Sequence, residues 1–271
     1  MQNVKSTLDK SSLSVAVITQ NEAENLPACL ESITFAEQIV VVDSGSTDDT
    51  IRIAKDFGCE VFSKPWLGGF GAQKQFALDQ CRHPWIILLD ADERIPPETA
   101  EIIKHIVEKK STIDFAAYSF PRKNFFQGRW IKHAGWWPDR IIRLFQKGLG
   151  RMTAATVHEA IHVEGPVKAL DVPIEHYTES RLSHLLLKID KYSTLGAQEA
   201  FAAGRRATAW SAILRACVTF FQDYLLRLGL LDGPQGLTLA MTDAVNKYFK
   251  YAKLAELCRQ ADEHSGSHET H

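Results

Sequence analysis

No stretch of this chain approaches the roughly 18 uncharged apolar residues of a membrane-spanning helix. Its first residues, "MQNVKSTLDKSS", carry no apolar signal region. The five cysteines (Cys29, Cys59, Cys81, Cys217 and Cys258) are odd in number and scattered, with no CxxC or zinc-ligand spacing. That argues against a disulfide framework and fits a reducing compartment. Charge is nearly balanced at a net −2, so bulk charge gives no ground for nucleic-acid binding. Internal repeats and low-complexity segments are missing, as are the dinucleotide GxGxxG and the phosphate-loop GxxxxGK(S/T) patterns. What remains is a 271-residue chain with 45% hydrophobic residues, enough for one large domain or a domain plus an appendage. The expectation is a cytoplasmic protein, at most peripheral on a membrane. The polar tail, residues 261–271, is expected to be disordered.

Residues 13–19, "LSVAVIT", read as a buried strand. "NEAENLPACLESI" follows, with Leu26, Leu30 and Ile33 at helical spacing. "QIVVVDSGS" is a second apolar strand, after which Ser46 and Asp49 form a capping-box pattern ahead of a helix that Gly58 stops. "EVFSK" and "WIILLDAD" are further strands, separated by a Gly-rich loop leading into a helix. Alternating strands and helices imply βαβ units, hence a Rossmann-like α/β fold with a mostly parallel sheet flanked by helices. A helix is expected from Pro97 to about Lys110. Residues 114–165 read as strands interrupted by aromatic, Gly-rich loops. From about residue 181 to about 260 the pattern is helical, marking a C-terminal extension.

In an open α/β sheet, ligands bind beyond the carboxyl ends of the strands. Three such ends carry polar clusters here: Thr19, Gln20, Asn21 and Glu22; Asp43, Ser44, Gly45 and Ser46; and Asp90, Ala91 and Asp92. Helix capping is enough to explain Ser46, Thr47 and Asp49. It does not explain Asp43, nor carboxylates crowded at the end of "WIILL". Asp-x-Asp on a turn can point at one centre, and the repulsion is relieved by a shared cation. A hard ion with oxygen ligands, Mg²⁺ or Mn²⁺, suits that chemistry and typically also takes substrate phosphates. In "GGFGAQKQ", Gln73 or Lys74 could reach the phosphate side, or the segment is only a flexible loop with a solvated lysine.

The motifs "AVITQNEAENLPACLES", "IVVVDSGSTDDT" and "WIILLDADE" resemble the family 2 inverting glycosyltransferases of the GT-A fold, which use nucleotide-diphospho-sugars. "WWPDRIIRLFQKG", "VHEAIHVEG", "IEHYT" and "LGLLDGPQGL" resemble the lipopolysaccharide-core β-1,4-glucosyltransferase branch. The resemblance implies a GT-A catalytic domain over residues 1–180 and a metal-bound donor, most simply a UDP-sugar carrying a hexose such as glucose. Thr19, Asn21 and Glu22 would line the nucleotide pocket, and Asp43 would contact base or ribose. Lys74 would lie near the diphosphate, Asp90 and Ala91 beside the donor, and Asp92 on the metal. His176 is a second metal or phosphate contact, or an ordinary histidine. Inverting transfer needs a base opposite the leaving diphosphate. Relatives carry a Glu-Asp pair that this sequence lacks. Glu159, beside His158, is therefore the first candidate and Asp139 its rival. Trp136 and Trp137 offer a sugar platform or core packing, and Arg140 and Arg143 offer phosphate contacts or structural ties.

Residues 181–259 hold eleven Lys+Arg and six Asp+Glu, an excess of five positive charges. "RRATAWSAILRACVTFFQDYLLRLGLL" mixes arginines with Trp, Phe and Leu, as an interfacial helix on anionic lipid does. Packing on the catalytic domain or a homodimer seam is the alternative. The resemblance implies a glycolipid acceptor at the inner leaflet of the inner membrane. Peptide or polyprenyl-phosphate acceptors, a nucleotidyltransferase and a non-catalytic nucleotide-sugar module are the other readings. The acidic "NEAEN" after the first strand argues against a nucleotidyltransferase, and joint retention of Asp43, Asp90 and Asp92 argues against the binding module.

Overall fold

The computed structural model describes residues 11–66, 70–108, 114–153, 160–178 and 182–266. Strand β1 (Ser11–Thr19) buries Val15 and Val17 on one side of a sheet and Ala16 and Ile18 on the other. β2 (Ala36–Asp43) and β4 (Trp85–Asp90) flank it in parallel, and β3 (Glu60–Ser63) extends the sheet beyond β2. Helices α1 (Leu26–Ser32), α2 (Thr50–Asp56) and α4 (Pro97–Glu108) contribute Leu26, Leu30, Ala54 and Ile103 to the first side. Helix α3 (Phe70–Asp79) contributes Ala77 and Leu78 to the second. Both faces are covered, which is why "IVVV" and "IILL" run apolar without alternation.

The capping-box reading of Ser46 and Asp49 is corrected by the structure. Helix α2 begins at Thr50, and its N-cap Asp49 makes no side-chain cap bond. Ser46 Oγ instead donates to Asp43 Oδ1 at 2.5 Å and accepts from Asn21 N at 2.8 Å. Asp48 serves the helix start, accepting from Thr50 N at 3.0 Å. The buried Asp43 carboxylate needs donors, and it claims the hydroxyl that local sequence assigns to the helix.

Beyond β4 the sheet turns antiparallel. β8 (Asp139–Gln146) pairs with β4 and β6 (Ala117–Phe126) pairs with β8. β12 (Ile174–Tyr177) follows β6 in the sheet and pairs with the short β5 (Glu93–Arg94). β11 (Val167–Ala169) runs parallel to β6, and β9 (Gly150–Met152) pairs with β10 (Ile161–Val163). His158 and Glu159 lie outside the described residues.

The chain forms two compact units, Met1–Lys123 with Asp139–His176, and Asn124–Pro138 with Tyr177–His271. In the second, α5 (Leu182–Ala202) and α6 (Ala209–Phe221) pack on the long α7 (Gly233–Gly266), which corrects the expected disorder from residue 261 by continuing the helix to residue 266. A π-turn (Gln222–Leu226) and a 3-10 turn (Gly229–Asp232) link α6 to α7. The motif "LGLLDGPQGL" clasps the hairpin that contains β7 (Arg129–Trp130). Asp232 accepts from Lys132 N at 3.2 Å and from His133 N at 2.8 Å. A Cβ on Gly236 would stand 1.9 Å from the Gly229 carbonyl oxygen, so only glycine allows this approach.

One carboxylate in this unit works against folding. Burial, and then the neighbouring Asp223, push the Asp243 carboxyl up to about 6 against the pull of Lys247 and Arg227. The folded chain therefore holds this proton more tightly than the unfolded chain. Its stabilising contribution is complete below the ordinary aspartate range and is lost as pH rises through about 6. Asp243→Asn is expected to raise stability above neutral pH by up to about 3 kcal/mol. The gain should vanish below about pH 3, where Asp243 is protonated in the folded and unfolded chain alike. Thermal denaturation of both proteins across that range checks it.

Candidate active site

The strand order 3-2-1-4 reverses between β1 and β4, and the polar clusters lie at the carboxyl ends beside that switch. In register, Thr19 stands opposite Asp43 and Ile18 opposite Asp90. The β2 end is a closed knot. Thr19 Oγ1 donates to Asp43 Oδ1 at 3.0 Å, and Gly45 N and Ser46 N donate to Asp43 Oδ2 at 2.9 and 2.8 Å. Asn21 adopts φ +56° and accepts from Thr47 N at 2.8 Å. Glu22 accepts from Asn25 Nδ2 and donates its own N–H to Thr50 Oγ1. Asp43 is fully buried with both oxygens engaged, so it shapes the loop that Asn21 and Ser46 present.

At the β4 end, Ala91 is anchored in the core under α1 and α4, and Asp90 beside it meets cations from other elements. Lys74 Nζ, on α3, lies 2.8 Å from Asp90 Oδ1. Arg143 Nη2, on β8, donates to Asp90 Oδ2 at 2.8 Å and to Glu93 Oε1 at 2.7 Å. Glu93 is fully buried, and its Oε2 accepts from Asp90 N at 3.2 Å. Arg122 Nη1, on β6, stands 3.7 Å from Glu93, and its Nη2 donates to Asp139 Oδ2 at 2.5 Å. Charges thus alternate from Lys74 through Asp90, Arg143, Glu93 and Arg122 to Asp139. Burial by itself would raise the Asp90 carboxyl. Lys74 and Arg143 outweigh it and hold the group well below the usual carboxylate range.

The shared cation between crowded carboxylates is therefore, for Asp90 and Glu93, a guanidinium of the chain itself. This corrects the reading that a metal-bound donor alone relieves the crowding. Asp92 stands apart from that network, with its Oδ2 3.3 Å from His176 Nε2. Pairing of β12 with β5, His176 opposite Glu93, brings the imidazole there. Among the described residues no three His, Cys, Asp or Glu side chains converge as a ready-made metal cage. One carboxylate and one imidazole, both partly open to solvent, suit a divalent ion whose other ligands are diphosphate and water oxygens. Beneath the turn, burial and then the charges of Glu93, Asp92 and Asp90 push the Cys29 thiol far up, which removes it as a nucleophile.

Residues 14–164 match the family described as Glycosyl transferase family 2, more than half of the chain. The chain belongs to glycosyltransferase family 2. Among relatives, this glycosyltransferase is 33% identical over 260 residues to the lipopolysaccharide core biosynthesis glycosyltransferase LpsC of Rhizobium meliloti (strain 1021). That match covers 91% of this chain and 93% of LpsC. It is 27% identical to an uncharacterized glycosyltransferase of Rickettsia felis, across 90% of this chain and 89% of the relative. Similar solved structures include Staphylococcus aureus TarS, at 17% identity and TM-score 0.43, covering 61% of this chain and 36% of that one. Another is glucosyl-3-phosphoglycerate synthase from Mycobacterium tuberculosis in complex with Mn²⁺, UDP and glucosyl-3-phosphoglycerate. It has 24% identity and TM-score 0.33, covering 43% of this chain and 44% of that one.

In this glycosyltransferase Arg143 is a structural tie of the acidic turn rather than a free phosphate ligand. Arg140 reaches the Leu170 carbonyl at 2.7 Å and Asp171 at 3.1 Å. Gln73 is buried and donates to Ser44 Oγ and the Lys64 carbonyl, holding α3 against the strand ends. In the second unit Trp136 packs with Phe126, Ile131 and Leu239, and Trp137 meets Trp130 edge-on at 5.2 Å. Glu93 and Arg122 were missed by sequence reasoning. A glutamate three residues beyond Asp90, at the end of a buried strand, was the only available signal for Glu93.

Proposed function

We propose that this glycosyltransferase moves a hexose, glucose, from UDP to a hydroxyl of a lipopolysaccharide inner-core acceptor, with inversion at the anomeric carbon. The acceptor class rests on similarity to LpsC along nearly the whole chain. In this reading Asp92 and His176 hold Mg²⁺ or Mn²⁺, which would supply charge neutralisation for the departing diphosphate. Lys74 adds a positive charge on the diphosphate side, steadied by Asp90. Thr19, Asn21, Glu22 and Asp43 shape the nucleotide loop through the bonds described above. Asp90 borders the sugar or ribose of the donor, with Ala91 on the same turn.

Glu159 is the proposed base. Its rival Asp139 accepts two hydrogen bonds from Arg122 on Oδ2, which ties that carboxylate to β6 as a member of the charge chain. Glu159→Gln is expected to keep UDP binding while turnover falls by roughly 10²–10⁴-fold. Asp139→Asn should cost much less. The opposite ranking in steady-state kinetics, with UDP affinity measured alongside, would make Asp139 the base.

The reading as a whole is tested by transfer assays with a panel of nucleotide-sugars, with Mn²⁺ or with chelator, on core-truncated lipopolysaccharide. UDP-glucose turnover that chelation abolishes supports it. Turnover only with other nucleotides, or turnover indifferent to chelator, rejects it.

A further inference from the structure

Helix α6 is built inside out. Its buried or half-buried row is Ala212, Ala216, Thr219 and Phe220, mostly small, packed toward α7. Its outer row carries Trp210, Leu214, Val218 and Phe221, which are 81, 65, 55 and 56% exposed. These residues recur at i, i+4, i+8 and i+11, so they form one stripe along the helix. Leu225 and Leu226 continue the stripe through the π-turn, and Leu226 is 79% exposed. From Trp210 to Leu226 the stripe runs roughly 24 Å at the rise of a helix. Ordinary amphipathic packing places such side chains inward, because full burial of one large apolar side chain is worth about 1.5–3 kcal/mol.

Charge identifies what covers the stripe. Residues 203–226 contain Arg205, Arg206 and Arg215 against one acid, Asp223, which is buried and paired with Arg227. Arg215 lies over the Tyr251 ring at 4.4 Å, beside the stripe, and Arg206 pairs with Asp262. A second copy of the chain laid on this face would set Arg205 and Arg215 near their own counterparts, and the one acid within the face, Asp223, is buried and already paired with Arg227. An anionic lipid surface complements both features, with apolar side chains entering the acyl boundary and arginines at the headgroups. No described helix is long and apolar enough to cross a membrane.

We infer that the α6 face, from Trp210 to Leu226, is a docking surface for an anionic bilayer, lying in the plane of the interface. Its purpose rests on the glycolipid-acceptor reading, but its test does not involve transfer. The full chain is floated with phosphatidylcholine vesicles and with vesicles that also contain phosphatidylglycerol. It should rise with the anionic vesicles and much less with the neutral ones. The combined variant Trp210→Ser, Leu214→Ser and Phe221→Ser should lose at least roughly tenfold in partitioning. Arg205→Gln with Arg215→Gln should reduce the preference for anionic lipid several-fold. Both variants should retain UDP-glucose hydrolysis and the wild-type melting temperature. Failure of the wild-type chain to float with anionic vesicles overturns the inference, as does undiminished flotation of the triple variant. A wild-type dimer that fails to float and that the triple variant converts to monomer would assign the face to self-association instead.

Discussion

Asp92→Ala is expected to lower sugar transfer by about a thousandfold or more, the loss that follows when several kcal/mol of charge stabilisation on a diphosphate is withdrawn. The variant should fold normally. Asp92 is partly exposed and, in contrast to Asp90 and Glu93, stands outside the arginine-centred network. Its melting temperature should match wild type in the absence of ligand, and the stabilisation by UDP with Mn²⁺ should disappear. His176→Ala should show the same pattern more weakly, since imidazole would be the lesser of the two proposed ligands. Wild-type turnover in Asp92→Ala would remove the metal assignment. Unchanged metal-dependent UDP stabilisation with lost turnover would move Asp92 from the metal to the sugar.

Arg143→Met is expected to produce the largest loss of stability, roughly 3–5 kcal/mol. Methionine fills most of the arginine's space but leaves Glu93 fully buried without its closest cation, and Asp90 with Lys74 alone. The size of the effect comes from the uncompensated charge, since the intact pair itself adds little beyond offsetting its own desolvation. Combining Arg143→Met with Glu93→Gln should therefore cost distinctly less than the sum of the single changes, by at least about 1 kcal/mol. Urea unfolding of the four proteins measures this coupling. Additive losses would show that Arg143 and Glu93 do not act as a unit. The pH dependence has a definite sign. Asp90 is held ionised below the usual carboxylate range, so its stabilising contribution is present above that range and is lost only as pH falls through its depressed value. In Arg143→Met that loss should begin at a higher pH than in wild type.

The same cluster separates what the chain shows locally from what it hides. "WIILLDAD" was legible as a strand with an acidic end, because a buried parallel strand must be apolar throughout and its polar end must leave the core. The joint position of Thr19, Asp43 and Asp90 followed from the alternation of strands and helices, since successive parallel strands put their carboxyl ends on one edge. Ser46 misled because a serine three residues ahead of Asp49 looks like a cap from local spacing, whereas its partner Asp43 is a buried carboxylate on the neighbouring strand end. The role of Glu93 was hidden because both arginines that meet it come from strands 29 and 50 positions further along the chain. The inverted burial of α6 was equally hidden. Its composition pointed toward lipid, but which row faces outward depends on the helix it packs against.

The sequence by itself determined the α/β class, the alternation of strands and helices that makes the sheet mostly parallel, and the family, because these depend on periodicity and on short motifs whose residues are neighbours. Only the tertiary structure decided how the acidic turn is neutralised, which of its carboxylates stays available and which face of α6 is bare. Those outcomes depend on the register of antiparallel strands and on helix packing. Register brings Arg122, Arg143 and His176 to a turn from which they are far removed along the chain, and no local pattern encodes it.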